Sequence, residues 1–186
     1  MYRKFLLLLP ILFLFTGCVS QKVQHSDKEF MVQATDLADY GYGFKKIRQH
    51  ETFKKTRHLD GSLDLDYEFE TPDSEQNEPL YMAVALTAQT KVSDALIVEG
   101  MEKLAGGAGL KWGDFKQKPV AGTRKYGQSS SLNVLMYQGT PAGNYFVCRQ
   151  GKRTYSIMIS GSFYTDDPEV WDELVGARVN KWLNAK

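Results

Sequence analysis

Thr52-Phe53-Lys54-Lys55-Thr56-Arg57-His58-Leu59-Asp60-Gly61-Ser62-Leu63-Asp64-Leu65-Asp66-Tyr67-Glu68-Phe69-Glu70-Thr71 decides the fold. Its second half alternates without a break. Leu63, Leu65, Tyr67 and Phe69 lie on one face, and Asp64, Asp66, Glu68 and Glu70 on the other, which is the pattern of a strand with one buried side. Asp60-Gly61 between two strand-like runs signals a hairpin, because both central residues of the tight turn take positive φ. A two-residue loop pairs Leu59 with Ser62 and sets Arg57 opposite Asp64 and Lys55 opposite Asp66, each pair adding about 0.2–1 kcal/mol. The carboxylate row is therefore expected to be a solvated face with cross-strand ion pairs. Carboxylates spaced two apart on an extended strand do not wrap a calcium ion, which needs oxygens on a tight loop.

Beyond the hairpin, Pro72 to Pro79 is a polar loop, and the apolar run Leu80 to Ala88 is a central strand. Thr90 or Ser93 then caps a helix whose apolar face is Leu96, Ile97, Met101 and Leu104. Gly106-Gly107-Ala108-Gly109 closes that helix. Glycines that cradle phosphate precede a helix, so this run is expected to be a C-cap. Leu110 to Phe115 and Leu132 to Tyr137 are further strands, with Thr140-Pro141-Ala142-Gly143 as a turn. Tyr145 to Arg149 and Arg153 to Gly161 make a second hairpin around Gln150-Gly151. Asp166-Asp167-Pro168-Glu169 carries an Asp cap, a first-turn Pro and a capping-box Glu. It opens a last helix, to about Trp182, with Trp171, Leu174, Val175, Val179, Trp182 and Leu183 on its apolar face. On the other side of the central hairpin, Phe30 to Leu37 is a short helix stopped at Gly41 and Gly43. This order predicts an α+β domain, an antiparallel sheet with helices packed against it.

Arg3 and Lys4 precede the apolar run Phe5 to Phe15, which is shorter than the ~20 residues of a membrane span. The run exits at Leu14-Phe15-Thr16-Gly17-Cys18, which resembles the bacterial lipobox, although Phe15 replaces the usual Leu. The resemblance implies a diacylglyceryl thioether on Cys18, cleavage before it and acylation of the new terminus. Val19, not Asp, follows Cys18, and in a Gram-negative cell this implies sorting to the outer membrane. The chain then divides into a signal peptide at 1–17, a lipidated polar tether at 18–28 and one globular domain at 29–186. Of 23 basic residues, Arg3 and Lys4 leave with the signal, so 21 face 22 acidic ones. That balance excludes a strongly basic nucleic-acid binder.

No catalytic set is visible. His25 lies in the tether, His50 in a polar loop and His58 beside the turn, where it is expected to be a plain surface histidine, the alternative being a pH-sensitive pair with Asp60. None has metal-ligand spacing, and no cofactor motif occurs. Cys148 shares a face with Phe146 and Tyr155 and is expected to be a buried thiol, with no nearby base to activate it. No G-x-S-x-G is present. Tyr40, Tyr42, Phe44 and Trp112 fit the periodicity least well. They are either an exposed interaction patch or local packing around the glycines.

Gly151-Lys152-Arg153-Thr154-Tyr155-Ser156-Ile157-Met158-Ile159-Ser160-Gly161, followed by an acidic turn and a Trp-containing terminal helix, resembles the PsbP-like fold over about residues 44–184. The resemblance implies an α-β-α sandwich and a docking or assembly role. The expected function is thus a lipid-anchored, non-catalytic interaction module facing the periplasm, with an envelope protein as partner. The alternatives are a carrier or sensor of a small apolar ligand, favoured by an aromatic cleft, and a hydrolase, favoured by His58 converging with carboxylates in a cleft.

Overall fold

The computed structural model of the chain describes residues 18–43, 47–71, 80–91 and 115–185. The strands are β1 (Val19–Ser20), β2 (Glu51–Arg57), β3 (Leu63–Glu70), β4 (Leu80–Ala88), β5 (Lys116–Pro119), β6 (Ser129–Tyr137), β7 (Thr140–Gln150) and β8 (Arg153–Gly161). They form one antiparallel sheet in the order β1-β2-β3-β4-β8-β7-β6-β5. Two meanders, β2-β3-β4 and β5-β6-β7-β8, are thereby joined where β4 pairs with β8. The helices are α1 (His25–Lys28), α2 (Ile47–His50) and α3 (Pro168–Leu183), with a 3₁₀ helix over Ala34–Tyr40.

One sheet face carries the main core. Tyr67, Phe69, Met82, Val84, Ile157 and Phe146 are buried there beneath Trp171, Val175, Val179 and Trp182 of α3. Full burial of each such side chain contributes about 1.5–3 kcal/mol. The other face is apolar only in its middle, where Tyr81, Ala83, Leu135, Tyr145, Val147 and Met158 form a second buried cluster. That two-sided burial explains why β4 and β8 lack a clean alternation. α3 starts as expected: Asp167 is its N-cap, its carboxylate accepts from the Glu169 amide at 2.8 Å, and Pro168 stands in the first turn.

The central hairpin forms, but one residue out of the expected register. The His58 amide donates to Ser62 O at 2.9 Å and Gly61 N to His58 O at 3.0 Å, with Gly61 at φ +89°. This is a three-residue loop closed by a left-handed glycine. It sets Arg57 opposite Leu63, Lys55 opposite Leu65 and Phe53 opposite Tyr67, so the Arg57–Asp64 and Lys55–Asp66 pairings are corrected. The reason is Phe53. A two-residue loop turns this one aromatic of β2 toward the carboxylates, whereas the observed register stacks its ring 4.8 Å from that of Tyr67.

The expected tether at 18–28 is also corrected. Val19 and Ser20 pair with Arg57 and Thr56, Gln21 N donates to Lys55 O, and α1 follows at once. Asp27 is buried and accepts two hydrogen bonds from Lys55 Nζ at 2.9 and 3.0 Å. Met31, Val32, Ala34 and Leu37 enter the core. The helix expected over 30–37 is instead the 3₁₀ turn beginning at Ala34. Thr140 to Gly143 is the start of β7 rather than a turn. A bulge between Leu135 and Met136 absorbs the irregularity, and Gly143 lies so close to β8 that a Cβ there would sit 2.0 Å from Ile159 O. The second hairpin turns at Gly151-Lys152. The Pro72–Pro79 loop, the helix expected after Ser93 and residues 110–114 of the expected strand lie outside the described residues. Among those described, no helix is long and apolar enough to cross a membrane.

Candidate functional site

The side chains with chemical potential gather at one end of the sheet, where the β2–β3 turn meets β1. β1 pairing fixes Cys18 beside this turn, exposed, with its Sγ 3.1 Å from His58 Nδ1. His58 Nε2 lies 3.0 Å from Asp64 Oδ2, and both side chains are partly buried. The hydrogen bonds of Asp60 go to its own turn and to Thr90 rather than to His58. Asp60 accepts from the Ser62 amide at 2.9 Å and the Ser62 hydroxyl at 2.6 Å, and these hydrogen bonds hold its carboxyl below the usual range. It also accepts from Thr90 Oγ1 at 3.3 Å. The His58–Asp64 contact was hidden from the sequence by the register. In a two-residue loop His58 shares a face with Leu63; in the observed loop it shares one with Asp64. The available signal was Phe53, whose place opposite Tyr67 dictates the register.

Thiol, imidazole and carboxylate stand here in the order of a nucleophile, its base and the base's orienter. The sulfur, however, is exposed rather than set in a cleft. The other thiol, Cys148, is buried, and desolvation pushes it up to about 12, so at neutral pH it is an inert packing group.

Tyr40 and Tyr42 do not stand free. Both pack edge-on against Phe163, at 6.1 and 5.5 Å between ring centroids, and the Tyr42 hydroxyl donates to Ser162 O. Both rings are half-buried by these contacts, while Phe44 and Trp112 lie outside the described residues. In the carboxylate row Glu68 meets Lys54 at 3.8 Å and Asp66 is buried. Among the described residues no group of three or more His, Cys, Asp or Glu could hold a metal ion.

A groove of about 410 Å³ runs between α1 and α3, lined by His25, Lys28, Glu29, Gln33, Arg178 and Lys181. Its cations are engaged: Arg178 with Asp36 at 2.7 Å, Lys181 with Glu29, and Lys28 over the Phe53 ring at 3.6 Å. This charged lining is not that of an apolar ligand pocket. The chain matches no family model, no curated protein and no solved structure.

Proposed function

We propose that this chain is a lipoprotein of the bacterial envelope, held by acyl chains on Cys18 and facing the periplasm as a non-catalytic interaction or assembly module. The observation that carries the reading is Leu14-Phe15-Thr16-Gly17-Cys18 placed directly after a basic start and an apolar run. The exposed position of Cys18 at the first strand supports it, since the sulfur is open to modification. Each buried methylene contributes about 0.8 kcal/mol, so two or more chains hold the domain stably. Outer-membrane sorting and an envelope protein partner belong to the same proposal. So does the finer architecture, an α-β-α sandwich of the PsbP-like kind, which the apolar clusters on both sheet faces support.

The Cys18–His58–Asp64 contacts support a second reading, a thiol hydrolase. It requires the same sulfur to be free, so the two readings exclude one another. Mass spectrometry of the amino-terminal peptide, taken from protein extracted from its own membrane, decides between them. A diacylglyceryl-modified Cys18 as first residue, with Cys18→Ala released from membranes, is the expected result. A free, alkylatable Cys18 in an uncleaved chain overturns the anchor.

A further inference from the structure

The described chain leaves Cys18 no slack. The next residue is already paired with β2, Gln21 N donates to Lys55 O at 2.8 Å, and Asp27 is locked onto Lys55. Cys18 itself touches His58 at the β2–β3 turn. Acyl chains on Cys18 therefore bring one particular end of the sheet against the membrane.

That end is chemically distinct. Leu59, at the tip of the turn, is 71% exposed and Val19 is 57% exposed. The turns around them touch. Thr90 reaches Asp60 at 3.3 Å, Gln89 N donates to Lys152 O at 2.9 Å, and Arg57 donates to Gly61 O at 3.1 Å. The ends of β2 and β4 and the β7–β8 turn thus form one surface, with Arg57, Lys91 and Lys152 exposed on it against one exposed carboxylate, Asp60. The opposite end exposes Glu70, Asp166 and Asp167 against Lys116. A polarised domain of this kind, basic and apolar-tipped at the anchored end, complements anionic headgroups.

We propose that the anchored domain sits end-on on a phospholipid bilayer, without a flexible linker, with Leu59 in the headgroup boundary and Arg57, Lys91 and Lys152 over lipid phosphates. The inference rests on the lipid-anchor reading. Its test keeps the two apart, because the amino-terminal peptide mass is taken on the same sample. The acylated protein is reconstituted in vesicles of phosphatidylethanolamine and phosphatidylglycerol, with an environment-sensitive fluorophore on Leu59→Cys or, at the far end, on Gln138→Cys. Cys148 is buried and acylated Cys18 is blocked, so neither competes for the label. A blue shift and several-fold protection from an aqueous quencher at position 59, absent at 138, is expected. Arg57→Gln, Lys91→Gln and Lys152→Gln together should reduce that protection. Equal quenching at both positions in protein whose Cys18 is acylated overturns the inference and leaves the anchor standing. Protection at position 59 only after another envelope protein is added overturns it too, in favour of a protein partner at this end. Hydrogen exchange of the unlabelled acylated protein guards against a damaged variant: amides at 58–62 should slow on vesicles, and unchanged rates there refute the orientation.

Discussion

Residues 18–43 and α3 cover the same face of the sheet by different means. α3 lays down one stripe of buried side chains, with Trp171, Val175 and Val179 fully enclosed. Its main polar tie to the sheet is the Trp182 indole donating to Thr154 O at 2.8 Å. The amino-terminal segment buries less and is pinned by charge and hydrogen bonds. Lys55 holds Asp27, Arg178 holds Asp36, and Lys181 holds Glu29. The Tyr67 hydroxyl accepts from Ala34 N at 2.9 Å and that of Tyr155 from Val32 N at 3.4 Å. A segment with no helix long enough to present a stripe must satisfy its backbone on partners from distant strands. The lesson is that one covering layer is held by water exclusion and the other by paired polar groups, so they should fail under different perturbations.

The largest effect is expected where the apolar layer is cut. Trp171→Ala should lower unfolding free energy by about 3–5 kcal/mol, the cost of emptying a fully enclosed aromatic site. Urea unfolding checks this, and a change under 1 kcal/mol would erase the distinction drawn for α3. Lys55→Met comes next. Asp27 and Lys55 are 12% and 15% exposed, so the orphaned carboxylate should cost about 2 kcal/mol, less than a wholly buried pair. Hydrogen exchange should locate the loss, with amides in 19–33 exchanging faster while those of α3 stay protected. Equal acceleration in both would show that the two layers open as one.

That difference also explains what the sequence revealed. Asp166-Asp167-Pro168-Glu169 and the apolar stripe behind it are local signals, and the structure follows them closely. The alternation from Leu63 to Phe69 likewise placed Leu65, Tyr67 and Phe69 in the core, but it did not show that Asp66 on the other face is buried as well. Residues 19–27 offered no period and 30–37 suggested only a short helix, because their order depends on Lys55, Tyr67, Tyr155 and Arg178, none of them nearby in the chain. Gly143 and Pro141 looked like a turn because composition cannot distinguish a bulged strand from its end. At the candidate site the His58–Asp64 contact waited on a register that a single residue, Phe53, controls.

Two smaller tests sharpen the account of the apolar layer. The Cys148 thiol, raised by burial to about 12, should hold its proton in the folded state while the unfolded thiol ionises near 9. A raised acid stabilises fully below the unfolded value and loses that contribution as pH rises. At pH 10 the loss should be about 1.4 kcal/mol, and Cys148→Ala should flatten this part of the stability curve. An unchanged slope between pH 8.5 and 10 in that variant contradicts the assignment. Asp167→Ala removes the N-cap of α3 and should cost about 1 kcal/mol, with Asp167→Asn close to wild type.

The smallest effect separates the layers most cleanly. Lys181 donates to Glu29 and lowers its carboxyl below the ordinary value. A depressed acid contributes stability above its unfolded value and loses it as pH falls through the folded one. Both side chains are half exposed, so salt should weaken the contact as well, since 1 M salt shortens the screening length to about 3 Å. Acid or salt should therefore loosen amides at 25–33 first and leave Trp171 to Val179 protected. Hydrogen exchange at pH 7 in low and high salt, and again near pH 4, is the measurement. Glu29→Gln should remove the salt response at 25–33 without moving the urea midpoint. If α3 responds to salt as strongly as the amino-terminal segment does, charge is holding both layers. The end of the sheet that carries Cys18 would then be less firmly oriented than its pairing implies.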